Sequence, residues 1–420
     1  MSATGQALAS ATAFARIGQL AAMRRVHEAF GWLHLHEPQI MRWQQELVQV
    51  AAPPFGEGPR AVWLSEKFRE LGLEDVQLDG LGNAIGFYRG EVSGGDCVLL
   101  SAHIDTIFPA ETLIDPQLNG TRLIAPGACD NGAGVVALLA IAAALRHAQL
   151  RPACDLIFIG NVGEEGEGNL RGMRHLYEHP SWTGRVAAHV VLDGAGHEVA
   201  VTHALGSRRY LVTIDGQGGH SWTDAARPNP VVALSHAIAR LGDFALSDQP
   251  RTTLNVGTIG GGTAVNAIPE RATARFDARS TDAEQLIRLE VEIHRAVEDA
   301  VIEANQKTKD RSVKKEHALQ FTIELIGDRP AGSLSEQSLI FENLRAVDRH
   351  LGIRTEQRIA STDANVPLSL GVPALSLGAG GDGGGIHTRN EWYDARGREL
   401  GLRRILLLLL ASCAVSDPSL

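Results

Sequence analysis

Long apolar runs without polar alternation mark the first half of the chain. DCVLLSAHID (96–105), CDLIFIGNV (154–162) and VAAHVVLDG (186–194) each have the length of a strand, and PALSLGAGG (373–381) adds another near the C-terminus. Between the first two lies NGAGVVALLAIAAALRHA (131–148), apolar over the length of a helix. Strands of this kind are buried on both faces, and helices between them allow parallel pairing. The pattern therefore predicts an α/β fold with a mostly parallel sheet covered by helices on both faces.

The middle of the chain has a different rhythm. From 207 to 330 it reads strand, helix, strand, strand, helix, strand: RRYLVTIDG, NPVVALSHAIARLGDF, TTLNVGTIG, ATARFDARS, 281 to about 305, and LQFTIELIG. That βαββαβ order is the pattern of a ferredoxin-like α+β module. It predicts an inserted domain at 207–330 within a discontinuous first domain at 1–206 and 331–420. The basic run KTKDRSVKKEH (307–317) reads as a solvated loop. ILLLLLASCAV (405–415) is far shorter than a bilayer span and reads as a terminal core helix.

Composition narrows the function classes. The 420 residues exceed one ordinary core and suggest two domains. A formal charge of -10, from 49 acidic against 39 basic residues, argues against a nucleic-acid partner. Four cysteines without CxxC spacing indicate neither a disulfide framework nor a thiolate zinc site. The N-terminus lacks a basic segment followed by an unbroken apolar one, so the expectation is a cytoplasmic protein with no membrane partner.

Candidate chemistry clusters at strand ends. Ligands of open α/β sheets bind beyond the carboxyl ends of the strands. The first apolar strand ends in His103 and Asp105, the second in Glu164 and Glu165, the third in Asp193, and the last leads through glycines to His387. Asp130 opens the long helix on a loop expected at the same edge. Singly, each has an ordinary reading: Asp130 as the helix N-cap, Asp193 as a turn residue, the histidines as loop polar groups. Together they suit two divalent ions, which need a bridging carboxylate and terminal His or carboxylate ligands. Donors of nitrogen and oxygen without thiolate favour zinc, with cobalt or manganese as substitutes. Asp105 is placed to accept the His103 imidazole N–H and fix its tautomer.

SAHIDT, ACDNGAG, GNVGEEGEG, LDG, GQGGHSW, NAIPE and GGGIHT occur in this order along nearly the whole chain. In this the sequence resembles the dizinc metallopeptidases and amidohydrolases that include peptidase T, carnosinase, carboxypeptidase G and the aminoacylases. The resemblance implies two zinc ions per chain, with Asp130 bridging, His103 and Asp193 on one, Glu165 and His387 on the other, and Glu164 as general base. It implies that the inserted domain is a lid and homodimer surface. His220 would reach the partner's active site to stabilise the oxyanion, and Asn266 and Arg279 would position substrate. A strand-end surface charge is the plain alternative for Arg279. Two departures stand out: Asn131 where many relatives have Asp, and Asp193 where acylases and desuccinylases usually carry Glu. The second leans the expectation toward small peptides over N-acyl amino acids. A metal-free binding or scaffolding relative is the expectation from another class, disfavoured because every ligand type is present.

Overall fold

The structure, a computed structural model, describes residues 9–179, 184–309 and 318–413. Residues 310–317 of the basic run, 1–8 of the N-terminal stretch and 414–415 of the last apolar run lie outside the described residues. The chain divides into two compact units, Met1–Ala204 with Ser333–Leu420, and Leu205–Gly332.

Four strands form the parallel heart of the first unit's sheet, in the spatial order Cys154–Asn161, Val92–His103, Val186–Leu192 and Ala374–Leu377. Antiparallel strands flank them, Ala84–Tyr88 on one side and Val199–Ala204 on the other. Side chains alternate between faces along a strand, and here the two faces feed separate cores. Val98, Leu100, Ala102, Leu156 and Phe158 pack in one apolar cluster. Cys97, Leu99, Ile157 and Ile159 pack in another, with Met173 and Leu176 from the helix Arg171–Glu178. Double-sided burial is why these strands carry no polar alternation, and the sheet matches the α/β class that the pattern predicted.

The helix Gly132–His147 is buried at every position from Gly132 to Leu145. A helix apolar all round needs cover on every side. The sheet supplies one side, and the helices Arg24–Leu35 and Glu37–Val48 supply another. The terminal helix Arg398–Ser412 is likewise internal, with Leu406 to Leu410 all at 0% exposure. No helix among the described residues is long and apolar enough to cross a membrane.

The second unit holds a four-stranded antiparallel sheet in the order Thr252–Gly261, Arg271–Ser280, Gly206–Asp215, Gln320–Arg329. Numbered along the chain that is 2-3-1-4, with the helices Pro230–Gly242 and Ala283–Lys309 packed on it. Tyr210, Val212 and Ile214 share their core with Leu234, Ala237, Ile293 and Val297, so this unit has a hydrophobic interior of its own.

Candidate metal centre

The parallel strands deliver their C-terminal ends to one edge of the sheet. His103 closes its strand in register with Asn161, and Asp193 directly follows Val186–Leu192. Glu164 and Glu165 follow Cys154–Asn161 by a short loop, and His387 follows Ala374–Leu377 after a longer one. Asp130 precedes the buried helix. Its backbone is fixed by neighbours too close for side chains: a Cβ on Gly132 would lie 2.5 Å from the Gly127 carbonyl oxygen.

Two groups of three potential ligands result, His103–Asp130–Asp193 and Asp130–Glu165–His387, each with its donor atoms within 4.8 Å of one another. Asp130 belongs to both. Its Oδ1 lies 3.1 Å from His103 Nε2 and its Oδ2 3.2 Å from His387 Nε2, so one oxygen faces each imidazole. His387 Nε2 is 3.0 Å from Glu165 Oε1, and His103 Nε2 is 3.9 Å from Asp193 Oδ1. Three carboxylates and two imidazoles thus meet in one place, from buried His103 and Glu165 out to exposed His387, an arrangement whose negative charge calls for cations. The donors are all nitrogen and oxygen, and the shared carboxylate fits a two-metal site of the zinc type.

A second layer holds these side chains. Asp105, fully buried, accepts the backbone N–H groups of Glu164 (3.0 Å) and Glu165 (2.8 Å). Toward His103 Nδ1 its backbone oxygen is nearer, at 3.2 Å, than its carboxylate at 3.5 Å. Asp105 therefore anchors the glutamate loop as well as the imidazole. The helix N-cap is Asn131, not Asp130: its Oδ1 accepts from Gly134 and Gly194, and its Nδ2 donates to the Leu192 carbonyl. Asp130 is thereby released from capping, and the loop of Asp193 is tied to the helix. The Asp130–Asn131 peptide is cis.

Two buried carboxyls here escaped the sequence analysis. Glu391 is fully buried and accepts the N–H groups of Gly127, Cys129 and Asp130 at 3.2, 2.7 and 2.7 Å. It sits four residues beyond His387, a spacing that marks nothing in the sequence. Asp363 is also fully buried, takes a 2.7 Å hydrogen bond from Asn161 Nδ2, and is pushed up to about 7 by burial.

The cluster perturbs its own titration. Hydrogen bonding to Asp130, opposed by burial and helped by the Glu165 charge, raises His387 to about 9. Burial raises Glu165. Burial opposes protonation of His103, yet Asp105, Asp130 and Asp193 hold its pKa well above the ordinary value. Because the folded pKa of His387 exceeds its ordinary 6.5, its stabilisation is complete below 6.5 and lost as pH rises through about 9. Chelator-treated protein should therefore lose melting temperature over that interval. Zinc-loaded protein should gain metal affinity over it, since a ligating imidazole must shed its proton. Thermal melts of both forms check this, and a flat metal-free profile would contradict it.

The other predicted residues belong to the second unit. His220 pairs with Ala267 in a short ladder, and Ser221 N–H donates to the Asn266 carbonyl, so His220 and Asn266 are neighbours. Arg279 is near the far end of Arg271–Ser280, roughly 25 Å along the strand from Arg271 at ~3.3 Å per residue. It is half-exposed, and its Nε donates to Asp277 at 2.7 Å.

Comparison with known proteins identifies the fold and the family. The chain is 30% identical over 202 residues to a probable carboxypeptidase of Uncinocarpus reesii, covering 43% of this chain and 45% of that one. The match thus spans less than half of that relative. The aminopeptidase PepT of Bacillus cereus superposes with a TM-score of 0.72 at 22% identity, covering 90% of this chain and 98% of that one. A dinuclear metal-binding peptidase of Bacillus subtilis superposes at 0.66 with 14% identity, covering 90% and 98%. At such identities the structures establish a shared fold. Residues 99–411, including all five clustered ligand candidates, match Peptidase family M20/M25/M40, and the chain belongs to that family.

Proposed function

We propose that this protein is a metal-dependent hydrolase that cleaves the amide bond of small peptides. The observation that carries the reading is Asp130, shared between two ligand groups beside the paired glutamates. His103 and Asp193 would hold one ion and Glu165 and His387 the other, with Asp130 between them; zinc suits these donors, and cobalt or manganese would substitute. Bound there, the ions would polarise the scissile carbonyl and acidify a water.

The chain's own residues then move the protons. Glu164, 6% exposed and held through its backbone by Asp105, is the general base: it takes a proton from water and returns it to the departing amine. Asp105 orients His103 and the glutamate loop together. His220 donates to the oxyanion in the partner's site of a homodimer formed through the second unit, and Asn266 and Arg279 position substrate, Arg279 by gripping a carboxylate. The placement of Arg279 at the other end of its strand from His220 and Asn266 supports a division of these residues between two sites. We place the protein in the cytoplasm.

The test is a panel of di- and tripeptides, some blocked at the amino and some at the carboxyl end, against N-acetyl and N-succinyl amino acids, with zinc, cobalt and manganese in turn. Peptides should be turned over at least about tenfold better in kcat/KM than the acyl amino acids. The reverse preference would make the protein a deacylase, and turnover of neither with metal bound would make it a binding protein.

A further inference from the structure

The buried helix that opens at Asn131 ends, sixteen residues later, beside a surface concavity. At 1.5 Å per residue this lies about 24 Å from the metal centre. We propose that this concavity is a binding site for a small multiply charged anion of the diphosphate type. Its volume is about 440 Å³, and Arg25, Tyr88, Arg146, Gln149 and Arg151 line it. No carboxylate among the described residues contributes, in a chain where acidic residues outnumber basic ones 49 to 39.

The three guanidinium groups converge. Burial pushes the Tyr88 hydroxyl up to about 12, and the charges of Arg151, Arg146 and Arg25 all act on it in the opposite sense. Some of this charge has a structural duty. Arg25 Nη1 donates to the Gln149 carbonyl at 2.6 Å, Arg146 Nη1 to the Glu70 carbonyl at 2.7 Å, and Tyr88 to the Leu150 carbonyl at 2.7 Å. These bonds close the helix end and the turn after it. They use only part of the donor capacity, because each guanidinium carries five N–H groups. Arg151 makes no hydrogen bond or ion pair with the described residues, and neither Arg25 nor Arg146 pairs with a carboxylate among them.

Three like charges gathered with no counter-charge among the described residues repel one another, and a bound anion would relieve that repulsion. One phosphate carries about -1.5 to -2 at neutral pH, less than three arginines offer. Planar guanidinium forks also match phosphate oxygens bidentately. Tyr88 is the only aromatic in the lining, which provides no apolar slot for a base or acyl chain.

Calorimetric titration with pyrophosphate, and with orthophosphate for comparison, tests the site in metal-loaded protein. Wild type should bind pyrophosphate saturably and more tightly than orthophosphate, with affinity falling as salt rises. R151Q, which removes no bond to the described residues, should weaken binding about tenfold or more. R146Q/R151Q should abolish it while turnover of the best peptide is retained. Unchanged affinity in both variants would place the pyrophosphate at the metal centre, and absence of saturable heat at millimolar pyrophosphate would leave the arginines as carbonyl caps. Either result overturns the proposal.

Discussion

Glu164→Gln is expected to lower kcat on the best peptide by about 10²- to 10⁴-fold, the usual worth of a positioned general base. The amide is nearly isosteric with the carboxylate, so packing at this buried position is preserved, but it cannot accept the proton of the attacking water. Glu164 belongs to neither ligand group, so metal content should stay at the wild-type level. Glu165→Ala should act in the opposite way, because Glu165 is one of the donors beside His387 and Asp130, and metal should be lost. Metal analysis beside steady-state kinetics separates the two roles. Wild-type kcat in the Gln variant would remove Glu164 from the mechanism.

The second large effect is expected at a residue that touches no ligand side chain. Glu391→Ala would strip the acceptor from three buried N–H groups, including that of Asp130. An unsatisfied buried donor costs about 1–3 kcal/mol, and water entering the space left by the side chain would recover part of it, so the expected net loss is about 3 kcal/mol. Metal affinity should fall about 10- to 100-fold, as for other outer groups that orient ligands. Glu391→Gln keeps one acceptor oxygen and should recover part of both losses. Denaturant unfolding and competitive chelation measure the two quantities. A large stability loss with unchanged metal affinity would make Glu391 a fold residue alone.

The contrast between these residues shows what could be read along the chain. Glu164 and Glu165 stood out because two carboxylates at the end of a buried strand need a reason, and residue types at strand ends are local facts. Glu391 and Asp363 do not sit at the end of a strand-length apolar run. Glu391 acts on Asp130 across 261 residues of sequence, and Asp363 meets Asn161 across 202. Asp130 illustrates the same limit from the other side. An Asp before a long helix reads as its N-cap, yet Asn131 caps and Asp130 faces two imidazoles. That choice is made by His103 and His387, which the local pattern does not contain.

By itself, then, the sequence determined the α/β class, the ferredoxin-like order of the middle segment and the set of donors carried to the strand ends. Continuous apolar strands, alternation of strands with helices, and residue type at a strand terminus are properties of neighbouring positions. The tertiary structure decided that Asp130 serves both groups, that Asp105 and Glu391 hold the loops around it, and that Arg25 of another helix meets Arg146 and Arg151 at the far end of the buried helix. Those outcomes follow from which distant segments pack together, because a hydrogen bond or a charge cluster exists only once the sheet and its covering helices have closed over one another.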